Sequence, residues 1–348
     1  MRRVKVLQVI TGLGVGGAER VVLDLARGLD PAEFEVEVAS LTNNTDALAV
    51  YGRPDLPIHT FAVKDRDVRA LFRLSSYFGR FRPDVIHAHM FHALVASLAI
   101  AGLGRTRLVF TSHCTTLPAQ RAALVRLTRF RRAADILFIE DQHAALNARY
   151  APVIPNGVPV GEVTRPRLLQ ESTLRCISVG RVTDQKDPLA LISAFAGAAI
   201  EGAMLTMVGD GPLLGAARQY AQDLGIADRV EFLGVRDDVR ELLQSADLFL
   251  MHSKYEGLPL ALLEAGAEGL PVISTPVGAI PSVLGGDRGF LVDPQEYVAV
   301  LRNIAADFPK ATQRGLSFYR YVKDHYSIHA FVIAHGNLYR RLARDTRR

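Results

Sequence analysis

Val4-Lys-Val-Leu-Gln-Val-Ile10, then Thr11-Gly12-Leu-Gly14-Val-Gly16-Gly17, then a helical pattern from Ala18 to Leu29 open the chain. The apolar run is short, is broken by Gln8 and precedes no small-residue cleavage pattern, so it reads as a first β-strand rather than a signal peptide. A strand feeding a glycine turn and then a helix is the unit of a parallel sheet, and the unit recurs. Further strands are expected at Phe34 to Leu41, Val85 to Ala88, Leu108 to Thr111 and Ile136 to Ile139, with helices at Val68 to Arg80, Phe91 to Ala101 and Gln120 to Ala134. The second half repeats the alternation. Its strands are expected at Arg175 to Val179, Met204 to Val208, Val230 to Phe232, Leu248 to Met251 and Val272 to Ser274. Its helices are expected at Pro188 to Ala199, Leu213 to Leu224, Val239 to Ser245 and Leu260 to Ala267. Pro155 to Pro166, with three prolines and two glycines, reads as the hinge. The fold class is therefore α/β, with two Rossmann-like doubly wound domains. Ligands bind outside the carboxyl ends of parallel strands, so two such domains facing one another would enclose a deep cleft with a different ligand on each wall.

Composition narrows the function. A chain of 348 residues, 49% hydrophobic and 22% charged, suits two soluble domains. Two cysteines, Cys114 and Cys176, build no disulfide framework and fit a reducing cytoplasm. The most apolar helical stretch, Ala93 to Leu103, falls far below the roughly 20 residues that span a bilayer. The net charge of +5 is uneven: residues 1–165 carry 21 Lys/Arg against 15 Asp/Glu, residues 166–348 carry 20 against 21. The basic half suits a phosphate, anionic-lipid or nucleic-acid partner, or is an arginine-rich solvated surface.

Four motifs carry chemistry. Gly12, Gly14 and Gly17 satisfy G-x-G-x-x-G, the dinucleotide fingerprint, but the second strand ends in Ala39-Ser-Leu-Thr-Asn43 with no carboxylate to hold a ribose. That weighs against a dinucleotide-dependent oxidoreductase and leaves a loop whose backbone can approach a phosphate or sugar. Gly180-Arg181-Val-Thr-Asp-Gln-Lys186 follows a strand; its two cations can converge on a diphosphate, or be ordinary surface charges. His87, His89 and His92 form H-x-H-x-x-H, readable as a zinc site or as histidines that hydrogen-bond a polar ligand; the other strand ends add only His113. Tyr255-Glu256-Gly257-Leu258-Pro259 to Glu264 places one carboxylate in a loop and one about two turns into a helix that Pro259 begins. The helix N-terminus suits a phosphate, and each carboxylate could hold a pair of sugar hydroxyls, or the two are unrelated glutamates on an ordinary amphipathic helix.

Taken in order, the motifs resemble the retaining GT-B glycosyltransferases of the family 4 type, which include bacterial polysaccharide and lipopolysaccharide enzymes. The resemblance is carried by Gly16-Gly17-Ala18-Glu19, His87-Ala-His89, Thr111-Ser-His113, Pro155-Asn-Gly-Val158, Gly180-Arg181 with Lys186 and Val208-Gly209-Asp-Gly-Pro212. Phe232-Leu-Gly234, Glu256-Gly-Leu-Pro259 to Glu264-Ala265 and Gly269-Leu-Pro-Val-Ile273 complete it. The chain departs from the family pattern at Pro159, at Val277-Gly-Ala-Ile-Pro281 and at Ile139-Glu-Asp141. The resemblance implies a nucleotide-diphosphate sugar as donor, a UDP-sugar before a GDP-sugar, with no cofactor, no metal and no nucleic acid. Arg181 and Lys186 would hold the diphosphate, Glu256 the sugar hydroxyls and Glu264 the ribose. Gly257, Leu258 and Pro259 would face sugar or phosphate, Gly209, Val235 and Arg236 would lie on the nucleotide side, and Gly16 and Gly17 would approach the diphosphate. His113 would line the donor-sugar pocket. A sugar-nucleotide-binding protein without catalysis is the rival reading.

The acceptor side is expected at His89, His92, Arg121 and Arg126. Arg121, Arg126, Arg129, Arg131 and Arg132 surround Leu124, Leu127 and Phe130, a pattern that suits anionic lipid or a plain solvated face. A glycan or lipid-linked acceptor at the inner face of the cell membrane would fit such a surface. The expected domains are residues 1–160, 161–325 and a terminal segment 326–348. The resemblance sends that last helix back to the first domain, and its amphipathic residues Phe331, Ile333, Leu338 and Leu342 need a surface to cover. It would bring Arg340, Arg341, Arg344, Arg347 and Arg348 to the basic side.

Overall fold

The structure, a computed structural model, describes residues 2–52, 55–63, 68–101, 106–113, 117–140, 142, 144–163 and 173–345. Cys114, Asp141, Pro166, Arg347 and Arg348 lie outside them. The chain forms two compact units, Met1–Gly157 with Ile328–Arg348, and Val158–Ser327. The boundaries between the units fall at 157 and 327.

The first unit holds a six-stranded parallel sheet of β1 (Val4–Ile10), β2 (Phe34–Ser40), β3 (Ile58–Thr60), β4 (Val85–His89), β5 (Arg107–Thr111) and β6 (Ala134–Ile136). Its order is β3-β2-β1-β4-β5-β6. Strands covered on both faces need not alternate, and the last five residues of β1 and all five of β4 are buried. His87, His89 and Gln8 are thus interior residues of central strands. Helices α1 (Gly17–Gly28), α2 (Asp46–Val50), α3 (Val68–Phe81), α4 (Phe91–Ile100) and α5 (Ala119–Leu127) complete this part of the chain.

The helix expected to reach Ala134 stops at Leu127, and Ala134 begins β6. Arg132 explains the stop. It is buried, its guanidinium grips Asp135 at 2.6 and 2.9 Å, and it donates to the carbonyls of Val125 and Leu146. Arg132 is a structural ion pair and not part of a lipid-facing surface.

The second unit repeats the topology. Its strands β7 (Arg175–Val179), β8 (Met204–Val208), β9 (Val230–Gly234), β10 (Leu248–Met251), β11 (Val272–Ser274) and β12 (Phe290–Leu291) run in the order β12-β11-β10-β7-β8-β9. Around them lie α6 (Pro188–Ala198), α7 (Leu214–Asp223), α8 (Val239–Ser245), α9 (Leu260–Ala267), α10 (Ile280–Leu284), α11 (Tyr297–Ala306) and α12 (Phe308–His325). Each sheet reverses its strand order once, between β1 and β4 and between β7 and β10. Those reversals are the topological switch points where doubly wound sheets hold ligands.

The final helix, α13 (Ile328–Asp345), belongs to the first unit. It buries Phe331, His335, Leu338, Tyr339 and Leu342 there, whereas Ile333 is 45% exposed. Arg340 reaches Glu33 at 3.0 Å and Arg341 lies over the Tyr150 ring. No helix among the described residues is long and apolar enough to cross a membrane.

Candidate active site

At the switch point of the second unit, the loop after β7 and the loop after β10 meet. Lys186 Nζ lies 2.5 Å from Glu256 Oε1, with the carboxylate side chain 6% exposed and the lysine 22%. Two backbone features place this pair. Gln185 accepts from the Lys254 amide at 2.9 Å and its side chain donates to the Tyr255 carbonyl at 3.0 Å. Beneath Glu256, Gly278 has φ +59°, and a Cβ there would overlap the Glu256 carbonyl oxygen. The amide of Ala279 donates to the Gly257 carbonyl at 3.0 Å. The Val277-Gly-Ala-Ile-Pro281 loop, which departs from the family pattern, thus keeps the glycine that lets it seat the Glu256 backbone.

Arg181 is exposed, and no described residue pairs with its guanidinium. Its loop is fixed from behind. Gly209, at φ +133°, packs where a Cβ would overlap the Gly180 carbonyl oxygen, and the Gly180 amide donates to Val208 O at 2.9 Å. Gly209 is therefore a support of the Gly180–Arg181 loop. A cavity at this corner is lined by Ser178, Gly180, Arg181, Lys186, Met251, His252 and Ser253. The Ser253 hydroxyl is buried there with no hydrogen-bond partner among the described residues, and His252 Nδ1 lies 3.3 Å from Asp187.

Pro259 caps α9 in extended geometry rather than starting it, so Glu264 is the fifth helical residue, just over one turn in. Glu264 is half-buried. Leu258 and Pro259 are buried, and Gly257 is half-buried, ahead of the helix. Val235 follows β9 and is 42% exposed, and Arg236 is held by Asp238 at 2.6 and 2.8 Å on the surface.

At the switch point of the first unit the strand side chains that meet are uncharged. The Gly12–Gly17 loop leads into α1, with Gly16 as its cap and Glu19 in its first turn. Beside it, His89 bonds Gln8 Oε1 at 2.7 Å and His113 Nε2 at 2.9 Å. His87 bonds the Tyr339 hydroxyl at 2.6 Å and the Thr111 hydroxyl at 2.7 Å. Burial drives the pKa of His87 and of His89 well below the usual imidazole value, with neighbouring histidines adding to the effect. Burial, then His335, pushes His113 down to about 3. His113 also holds φ +57°, left-handed backbone that bulky residues rarely adopt and that concentrates at functional sites. His92 does not join the others; it is exposed on α4. The H-x-H-x-x-H spacing therefore splits, and the two strand histidines spend their nitrogens on Gln8, Tyr339, Thr111 and His113. Among the described residues, no group of three or more His, Cys, Asp or Glu is placed to hold a metal.

The chain matches Glycosyltransferase Family 4 over residues 15–162 and Glycosyl transferases group 1 over residues 173–307. It is 30% identical to the N-acetyl-alpha-D-glucosaminyl L-malate synthase of Bacillus anthracis, over 82% of this chain and 83% of that one. The chain belongs to the family 4 type of GT-B glycosyltransferases. It is also 25% identical to the Escherichia coli UDP-Gal:alpha-D-GlcNAc-diphosphoundecaprenol alpha-1,3-galactosyltransferase, over 80% and 81% of the two chains. Anabaena Alr3699/HepE in complex with UDP and glucose shares the fold, with TM-score 0.83, 18% identity and coverage of 97% and 99%.

Membership in the family sets aside an oxidoreductase reading of the glycine loop. In this glycosyltransferase, α5 exposes Arg121 and Arg126, with Leu127 69% exposed; beyond it Phe130 is 82% exposed. Arg121 also lies over the Phe91 ring at 5.3 Å. Sequence reasoning missed Gln8, Tyr339, Asp187, His252 and Ser253. Gln8 carried a signal, a lone amide inside an apolar strand.

Proposed function

We propose that this glycosyltransferase moves a hexosyl group, with retention of configuration and without a metal, from a nucleotide-diphosphate sugar to a glycan or lipid-linked acceptor. The Lys186–Glu256 pair at the second switch point carries the reading. Without donor, each charge neutralises the other. A diphosphate drawn in by Lys186 and the exposed Arg181 releases Glu256 to accept hydroxyl protons of the sugar. Glu264 takes the ribose, and Val235 with Arg236 lies beside the base. Gly16 and Gly17 add backbone N–H groups, and His113 takes a sugar hydroxyl.

As the glycosidic bond breaks, negative charge gathers on the departing diphosphate. Arg181, Lys186 and the N–H groups that open α9 are preorganised for that charge. A departing phosphate oxygen takes the acceptor's proton on the same face, so the sugar keeps its configuration and Glu256 binds rather than attacks. Two cations supply the charge that a divalent ion supplies elsewhere. A UDP-sugar is favoured over a GDP-sugar, since Alr3699/HepE binds UDP and the E. coli relative is named for UDP-Gal. That relative's diphosphoundecaprenol acceptor supports a lipid-linked acceptor here. Arg121, Arg126 and the exposed Phe130 support an anionic membrane contact from the cytoplasmic side, in cell-surface polysaccharide or glycolipid synthesis.

The test is transfer from UDP-, GDP- and ADP-sugars in excess EDTA, with the product anomer read by NMR. Retained configuration and undiminished rate are expected. An inverted product, or loss of rate restored by Mn²⁺ or Mg²⁺, would overturn the mechanism.

A further inference from the structure

The hydrogen bonds at the first switch point have a direction. The structure assigns Gln8 Nε2 as donor to the Tyr339 hydroxyl at 3.1 Å and Gln8 Oε1 as acceptor from His89 Nε2 at 2.7 Å. A carbonyl oxygen only accepts, so His89 Nε2 carries its proton. A neutral imidazole has one N–H, so His89 Nδ1 is bare and must accept. Its partner is His113 Nε2 at 2.9 Å, which therefore carries the His113 proton. On the other arm the Tyr339 hydroxyl, already accepting from Gln8, gives its proton to His87 Nδ1 at 2.6 Å, and His87 Nε2–H donates to Thr111 at 2.7 Å. All three histidines are then Nε2–H, the tautomer that free histidine also favours. Reversing the Gln8 amide would reverse every bond and make all three Nδ1–H.

We propose that Gln8 is a positioning residue for the transfer: through His89 it holds His113 as its Nε2–H tautomer, with Nδ1 bare. No described residue bonds that Nδ1. The ring nitrogens diverge, so Nδ1 faces away from His89. A bare nitrogen accepts a hydroxyl proton and repels a diphosphate oxygen, so His113 reads a hydroxyl of the donor sugar. The inference rests on the donor role given to His113 above. It also ties α13 to the chain of bonds, since Tyr339, 331 residues away, is the other partner of the Gln8 side chain.

The test uses the full chain labelled with ¹⁵N-histidine, ligand-free and at mildly alkaline pH, where ¹⁵N shifts report each tautomer. His87, His89 and His113 are expected as Nε2–H; an Nδ1–H or mixed His113 overturns the relay. Gln8→Met keeps volume but removes the acceptor. It is expected to leave His113 mixed and to cut donor turnover about 10- to 100-fold, the scale of a small misplacement in a reacting site. Gln8→Glu restores an acceptor for His89 and is expected to recover the His113 tautomer and most of the turnover. It also takes the Tyr339 proton and turns His87 alone to Nδ1–H. A packing role for Gln8 demands the opposite order, because methionine is well tolerated in a core and a buried carboxylate is not. Gln8→Glu turning over more slowly than Gln8→Met overturns the proposal. Unchanged turnover in His113→Ala strikes the donor role itself, whereas an Nδ1–H His113 in the ligand-free protein strikes the relay alone.

Discussion

The two units share one strand order and hold opposite chemistries at the same topological point. In the second, the loops after β7 and β10 bring charges together: Lys186 with Glu256 at 2.5 Å and Lys254 with Asp184 at 2.6 Å. In the first, β1 and β4 bring together an amide, three neutral histidines and two hydroxyls. The difference lies in where the polar groups are attached. The charges sit on loops, where solvent shares their cost. The neutral groups sit largely inside strands, where an ionised residue would be expensive and a hydrogen-bonded neutral chain is not. The topology supplies a place for a ligand, and backbone context decides whether that place presents charged or neutral groups.

The comparison breaks most severely if α13 is removed. Truncation before Ile328 strips Phe331, Leu338, Tyr339 and Leu342 from the first unit. Each buried side chain of this size is worth about 1.5–3 kcal/mol, and a whole domain holds only about 5–15 kcal/mol in net stability. The first unit is expected to lose cooperative unfolding while the second keeps its thermal transition and binds UDP. Calorimetry that shows both transitions intact would contradict the packing described here.

Acid separates the units next. His113 is held down to about 3 and His335 to about 4, from an ordinary 6.5, both by burial first. The unfolded chain binds these protons and the folded one refuses them. No penalty exists above about pH 6.5; below it, stability falls by about 1.4 kcal/mol per pH unit for each such histidine, until the folded pKa is reached. The first unit is expected to melt earlier as pH drops from 6.5 toward 4. A first-unit transition that stays flat over that window would mean the histidines already carry charge.

Third in size is the charged wall. If Arg181 and Lys186 hold the departing diphosphate, Lys186→Ala or Arg181→Ala removes a preorganised cation and is expected to slow transfer by about 10²- to 10³-fold. The fold should hold for Arg181→Ala, since Arg181 is exposed on the loop after β7. Near-normal transfer by the double variant would sink the diphosphate assignment.

Much of this contrast could be read from the chain, and the unread part has a common cause. Alternating apolar runs and glycine loops mark β1, β4, β7, β8 and β10 with their functional loops, because buried parallel strands are written as local runs. β3 and β12 escaped notice, being three and two residues long. Helices α11 and α12 also went unassigned, since they follow the repeating pattern rather than belong to it. Long-range pairings left no local trace. Lys186 and Glu256 each read as a ligand group, but nothing in the sequence shows that two residues 70 apart face one another. Arg132 read as a surface cation because its partner Asp135 is recognisable only once α5 is known to stop at Leu127.

The smallest expected effect sharpens the comparison by separating binding from stability on the charged wall itself. Arg236 and Asp238 form an exposed pair at 2.6 Å beside Val235, and water and salt screen such pairs until they add little to the fold. Arg236→Ala should therefore leave the thermal midpoint of the second unit where it is. If Arg236 lies beside the nucleotide base, the substitution should raise the KM for a UDP-sugar by a few-fold and leave kcat alone. Such a contact is the same in the bound donor and in the transition state, and uniform binding of that kind shows in KM only. A fall in kcat equal to that of Lys186→Ala would instead place Arg236 on the diphosphate. An unchanged KM would remove it from the site and leave Val235, at the end of β9, to meet the base without it.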